Sequence, residues 1–289
     1  MATYLPGSKA VGGTTSTATA WINEVWANDF DVLAYEEAVG YPNFTEFPPL
    51  HGRMHVPKID NLSRVSLGDA TAGNNLTFSA NTETELLFTP STTVVPVEVN
   101  LPVIVRAMKN PQDALKKACE MSIGEGIDQS ALTLAGLLTT NVVDNTGLNI
   151  DRAAILDADQ KLAAGAKGYY RAGASGGIMI VGVAQKDDIL TISEITSAQV
   201  RGDSANPTVT GWVAQAYGIS FYESGNVQIS GAVLNNVLFI KRAFAISFNQ
   251  RPTVFTQGYQ MVNRIFCWAD FGYGTVRDQY AVLIKTLAS

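Results

Sequence analysis

The sequence predicts an α+β chain, and three observations carry that prediction. One segment near position 111 joins helix-start chemistry to a sustained apolar rhythm of three- and four-residue steps. Strand-like runs rich in Val, Thr, Ile and Phe lie on both sides of it. Polar stretches rich in Gly, Asn and Pro separate these runs.

At 289 residues the chain has room for one large or two ordinary domains with a sizeable core. Charged residues make up only 16% of it and AVILMFWYC residues 46%. A surface so poor in charge leaves apolar or neutral area to be covered, which points to self-association. The net charge of −6 argues against a protein that binds nucleic acid by neutralising phosphates. The opening residues lack the regions of a signal peptide, and no run of about 18 apolar residues occurs, so synthesis in the cytosol is expected and no membrane partner. Cys119 and Cys267 are too few for a disulfide framework and read as two buried thiols. The sequons at Asn43, Asn61 and Asn75 carry no meaning without secretion.

Residues 1 to about 20 are small and polar, a composition that needs a neighbouring molecule to order it. Trp21, Val25, Leu33 and Tyr35 then follow near helical spacing, interrupted at Asn28, Asp29 and Asp31. The prolines of YPNFTEFPPLHG are expected to forbid regular pairing. From Arg53 to about Pro102 the runs RMHVPKI, NLTFSA and TELLFTPSTTVVPVEV read as a hairpin-like excursion, with prolines 57, 90, 96 and 102 marking edge or irregular pairing. Its apolar alternation is too weak to define a core of its own.

The long helix begins at about 111, with Asn110 as cap, Pro111 at the first helical position and Asp113 in the first turn. Leu115, Ala118, Cys119, Ser122, Ile123, Ile127, Ala131, Leu134 and Leu138 give it an apolar face over 111–138, about 42 Å. Gly124 and Gly126 weaken its middle and are candidate hinge residues; close packing of a strand against bare backbone is the competing explanation.

Beyond Asn141 the pattern is that of a compact α/β region. NIDRAAILDADQKLAAGAKG reads as a capped helix ended by Gly165, GGIMIVGV as a buried strand, and AQKDDILTISEIT as a helix. GISFYESGNV and NNVLFIKRAFAISF add strands, the latter turning through a helix at KRAFA. Residues 255–289 return as two strands around FGYGTVRDQYAVLIKT, the last of them expected beside the long helix.

The chemical motifs on offer do not assemble into a site. GASGG around Ser175 fits G-x-S-x-G, but its strand follows rather than precedes it, and both histidines lie upstream. His51 and His55 have the spacing of metal ligands on one helical turn, yet PPLHGRMHVP cannot form that turn. Asp151, Asp157 and Asp159 read as a first-turn cap and a solvated face. GYGTVR lacks the glycine spacing of a dinucleotide loop, and Arg201–Asp203 is an RGD triplet in a polar loop. Neither enzymatic activity nor a cofactor or metal site is expected.

With GEGIDQSAL in the long helix, NNVLFIKRAFAISF and the closing FGYGTVRDQYAVLIKT, the layout resembles the major capsid proteins of tailed bacteriophages, with the Hong Kong 97-type fold. The resemblance implies an N-terminal arm over 1–50, an E-loop over 51–102, a P-domain of 103–145 and 255–289 around the spine helix, and an A-domain over 146–254. On it, the last strands complete the sheet begun before the helix. It also implies pentamers and hexamers closing an icosahedral shell around double-stranded DNA in the virion, made in the host cytoplasm. Scaffolding protein, a portal and a decoration protein would be partners. The arm would be ordered by a neighbouring subunit, and residues 56–98 would reach over one. No autocatalytic cross-link is expected. An encapsulin-like compartment shares this layout, and an enzyme or carbohydrate-binding β protein is the rival from another class.

Overall fold

The segment opening NPQDAL forms the long helix α1, Pro111–Gly136, in a computed structural model of the chain. The structure describes residues 38–49, 54–59, 83–100, 111–166, 176–196, 215–260 and 262–288. The Asn110 cap and the NLTFSA run lie outside them. Pro111 takes the first helical position, where its missing N–H deprives no carbonyl of a partner, and Asp113 faces the positive end of the helix dipole.

Two sheets flank this helix. Strands β1 (Thr45–Phe47), β4 (Ser91–Asn100), β11 (Phe244–Tyr259) and β12 (Val262–Thr275) form the first, in the order β1-β11-β12-β4. Between β1 and β4 in the chain, β2 (Met54–Ile59) and β3 (Glu83–Phe88) pair antiparallel, from Met54↔Phe88 to Ile59↔Glu83. The second sheet contains β5 (Val142–Asp144), β6 (Gly177–Val181), β7 (Gln215–Ala216), β8 (Ile219–Glu223), β9 (Ile229–Ser230), β10 (Val233–Phe239) and β13 (Ala281–Leu287). Its order is β5-β13-β10-β6-β8-β7, with β9 beside β10. Helices α2 (Arg152–Gly165), α3 (Val183–Thr191) and α4 (Ser193–Thr196) complete the described elements.

Burial follows from this layering. Alternate residues of the second sheet divide between two cores: Ile180, Val237, Phe239 and Leu283 face α1 with the first sheet. Met179, Val181, Leu238, Val282 and Ile284 join Ile155, Ala158 and Leu162 of α2 and Ile189 of α3. A strand covered on both faces needs apolar residues at every position, which is why VLF and AVLI run without alternation.

Several expectations are corrected. Of the last strands, β12 does join the sheet begun before the helix, but the terminal strand does not: β13 pairs antiparallel with β10 and parallel with β5, in the second sheet. The partner of β4 is β12, over ten residues from Val262↔Asn100 to Phe271↔Ser91. Residues 91–100 are therefore a strand of the body, and the excursion is shorter than the sequence implies. Residues 255–273 are not one strand but parts of β11 and β12, joined by a tight turn in which Gln260 takes φ 53°.

No helix forms at KRAFA. The chain turns between Ile240 and Ala243, whose backbones bond at 2.8 Å, and passes from β10 to the other sheet, so that Phe239 and Phe244 meet edge to face at 5.2 Å. Regular pairing does occur in YPNFTEFPP, because Thr45–Phe47 lies between the prolines and pairs parallel with Ala245–Ser247. The expected helix AQKDDILTISEIT is split at Ile192 into α3 and α4. Asp159 is buried rather than solvated.

Candidate assembly surface

Among the described residues the first sheet has one face covered by α1 and one largely open. Along β4 the burial alternates: Thr93, Val95, Val97 and Val99 turn inward, and Thr92, Val94, Pro96 and Glu98 turn out. Ile265, Cys267 and Ala269 of β12 are fully buried on the inner side, against α1. The strand register then places three rows across the outer face: Val94–Trp268–Thr253, Pro96–Phe266–Phe255 and Glu98–Arg264–Gln257. Phe255 is 56% exposed and Val94 48%. Apolar side chains thus stand together where water would favour polar ones.

Charge frames this patch. Arg264 Nε donates to Glu98 Oε1 at 2.6 Å, and its guanidinium lies 4.4 Å from the centre of the Tyr259 ring. At the other end Asn249 Nδ2 donates to Asp270 at 2.8 Å. Pro96 fits because β4 is the edge strand, where a missing N–H leaves no ladder partner unsatisfied.

Two anchors fix segments to this body. Phe88, at the end of β3, is buried against Ala245 and meets the Phe47 ring at 6.0 Å. A Cβ on Gly274 would stand 2.9 Å from its ring, so the glycine of GYGTVR makes room for Phe88 and not for a phosphate. The other anchor is Asp128, fully buried, which accepts backbone N–H groups of Val39, Gly40 and Tyr41. The Tyr41 phenol is pushed up from its ordinary pKa by burial and then by the Asp128 charge.

Asp128 lies within GEGIDQSAL, yet its anchoring role is not among the sequence expectations. The signal was there: position 128 falls three and four residues before Ala131 and Leu132 on the buried side, and a carboxylate on an apolar face demands donors.

Gly124 and Gly126 lie in the unbroken middle of α1. No described residue stands within 4 Å of where a Cβ would sit at either, so close packing against the described residues does not explain them. Ser130 Oγ donates to Gly126 O at 2.8 Å, a bond that competes with the helix ladder one turn on. Cys119 and Cys267 are both buried and free. Burial first, then the neighbouring Cys119 thiol and Glu120 carboxylate, push Cys267 up to about 11, which keeps it an inert thiol at neutral pH.

Asp151 caps α2 by accepting from Ala154 N–H at 2.8 Å, and Asp157 pairs with Lys161 at 2.9 Å. His55 lies in β2, an extended strand that cannot present helical ligand spacing. His51, Ser175, Arg201–Asp203, Asn61, Asn75 and residues 1–37 lie outside the described residues. Among the described residues no three His, Cys, Asp or Glu side chains gather as metal ligands, and no helix is long and apolar enough to cross a membrane.

No protein-family model matches the chain. No curated protein matches it in sequence. Its backbone, however, is similar to solved phage structures almost from end to end. A structure from Mycobacterium phage Che8 superposes with a TM-score of 0.71 at 16% identity, over 91% of this chain and 97% of that one. The capsid structure of Cyanophage P-SCSP1u gives 0.70 at 12% identity over 100% and 99%, and the Cyanophage Pam1 capsid 0.70 at 13% over 93% and 97%. This is a mixed α+β chain with the fold of phage capsid structures.

Proposed function

We propose that the chain is the major capsid protein of a tailed bacteriophage, a structural protein and not an enzyme. The observation that carries this reading is the extent of the likeness: phage capsid structures match nearly the whole of both chains. The bare apolar face of β4, β12 and β11 fits that role, because a surface of this kind calls for a neighbouring subunit. In this reading pentamers and hexamers close an icosahedral shell around double-stranded DNA, and repeated modest contacts become collectively strong. Scaffolding protein, a portal and a decoration protein are the partners it calls for. The capsids among its structural neighbours favour a genome shell over an encapsulin-like compartment.

The domain division follows the sheets. The first sheet with α1 would be the P-domain, and the second with α2, α3 and α4 the A-domain, so that Ala281–Leu287 passes to the A-domain. The β2–β3 pair would be the stem of the E-loop. Gly124 and Gly126 would be the bend point of the spine helix when the shell changes shape. Electron microscopy of the purified protein tests the central claim. Closed shells or capsomers are expected, and a protein that elutes only as a monomer near 30.9 kDa at all concentrations overturns it.

A further inference from the structure

We propose that Asp128 is a positioning residue that fixes the place and direction of residues 39–41 against the body of the subunit. Its carboxylate collects four neutral donors: Gly40 N–H at 2.7 Å and Tyr41 N–H at 3.0 Å on Oδ1, with Val39 N–H at 3.3 Å and Asn226 Nδ2 at 3.2 Å on Oδ2. Three successive N–H groups pointing at one anion fix the backbone of 39–41 as a unit, and bonds to an ionised acceptor are the strong kind.

A second observation agrees. A Cβ on Gly40 would stand 2.9 Å from Asp128 Oδ1 and 2.8 Å from Leu132 Cδ2, so the chain passes α1 at backbone distance. Just downstream, Asn43 Nδ2 donates to Val39 O at 2.8 Å and closes the turn, and Phe44 is held between Phe244 and Phe239 at 4.9 and 5.6 Å. Residues 39–44 therefore have a polar pin in front and an apolar pin behind. Asn226 brings in a third element, the turn after β8, where its own N–H donates to Ser224 Oγ at 3.1 Å. One carboxylate thus registers residues 39–41, the long helix and the second sheet against each other.

Asp128→Asn tests this with little change of shape. The amide keeps an oxygen for Gly40 and Tyr41 but sets an NH2 group against Val39 N–H and the Asn226 amide, donor facing donor. Adding Asn226→Asp restores an acceptor opposite the new amide and still receives Gln129 Nε2, now 3.3 Å from Asn226 Oδ1. In hydrogen exchange of the intact subunit, Asp128→Asn is expected to speed residues 39–41 on the order of tenfold to a hundredfold, with less than about twofold change in β10 and in α1 beyond Ala131. The double variant is expected to recover protection at Gly40 and Tyr41, whose acceptor oxygen is kept, while Val39 N–H, still facing the NH2 group, stays fast.

Exchange rising equally through α1 and both sheets, unchanged exchange at 39–41, or no recovery in the double variant overturns the proposal. A second readout rests on the capsid reading: Asp128→Asn is expected to lower the yield of regular shells several-fold relative to the unmodified chain, and normal shells from a variant with released residues 39–41 also overturn it. If the unmodified chain makes no shells, that reading fails while the exchange measurement still decides the role of Asp128.

Discussion

The two sheets share α1 as a common wall and differ in everything beyond it. In the second sheet β10 and β13 lie between α1 on one side and α2 and α3 on the other, and their residues are almost all buried. In the first sheet, over the outer part of β11, β12 and β4, the side towards α1 is covered and no described element lies on the other. Strand β11 passes through both regimes: Phe244–Phe248 is buried at every position, whereas Arg251, Pro252 and Thr253 are exposed. The buried end is a core, and the outer end is half of one. Hydrophobic burial scales with area removed from water, so a sheet with one bare apolar face has stabilisation still available to a partner.

Mutation can break this contrast, and the largest effect belongs in the doubly covered region. Phe239→Ala removes a fully buried ring that touches Phe44 and Phe244, and should cost about 3–5 kcal/mol in urea unfolding of the subunit. A loss below about 1 kcal/mol would mean that this core repacks freely and that the contrast is overdrawn.

The shared helix comes next, with the opposite sign. Changing Gly124 and Gly126 together to Ala places methyl groups where no described residue stands and should stabilise the subunit by about 1–2 kcal/mol. If the pair is a bend point, expansion of the shell is impaired at the same time. Stabilisation with normal expansion removes the hinge and leaves only a weak turn.

Phe255→Ser, on the bare face, should move the unfolding free energy of the free subunit by less than about 1 kcal/mol, since the ring is 56% exposed already. The same change should sharply lower the yield of shells under light scattering. Unaltered assembly would show that the face is covered by nothing.

The smallest effect is expected at the frame of the patch. Glu98→Gln breaks an ion pair whose two side chains are each about one-third exposed, and should change subunit stability by no more than about 0.5 kcal/mol. A larger loss would assign the Glu98–Arg264–Tyr259 group a structural role that its exposure does not suggest.

Much of this contrast can be read in the letters. VLF of β10 and AVLI of β13 run without alternation, as strands covered on both faces must. STTVVPVEVN alternates, but its outward places hold Val94 and Pro96, and those facing them in β12 hold Phe266 and Trp268. An apolar residue on the solvent side of an alternating strand is a local sign of a missing partner. What the letters do not carry is which strand pairs with which. The pairing of Leu283 with Val142 spans most of the second half of the chain, and nothing near either residue encodes the other.

By itself, then, the sequence determined the features that depend on near neighbours. These are the long helix from Pro111, the two glycines in its middle, the Asp151 cap, the runs with strand propensity and an apolar surplus calling for self-association. The tertiary structure alone decided that β13 belongs to the second sheet, that residues 255–273 fold back into two strands, that Asp159 is buried, and that Asp128 meets Val39, Gly40 and Tyr41. The physical reason is range: propensity, capping and periodicity act within one or two turns of chain. Sheet partnership and the partners of a buried charge are instead settled by the packing that removes the most surface from water while leaving the fewest polar groups unsatisfied, and that sum is taken over the whole molecule.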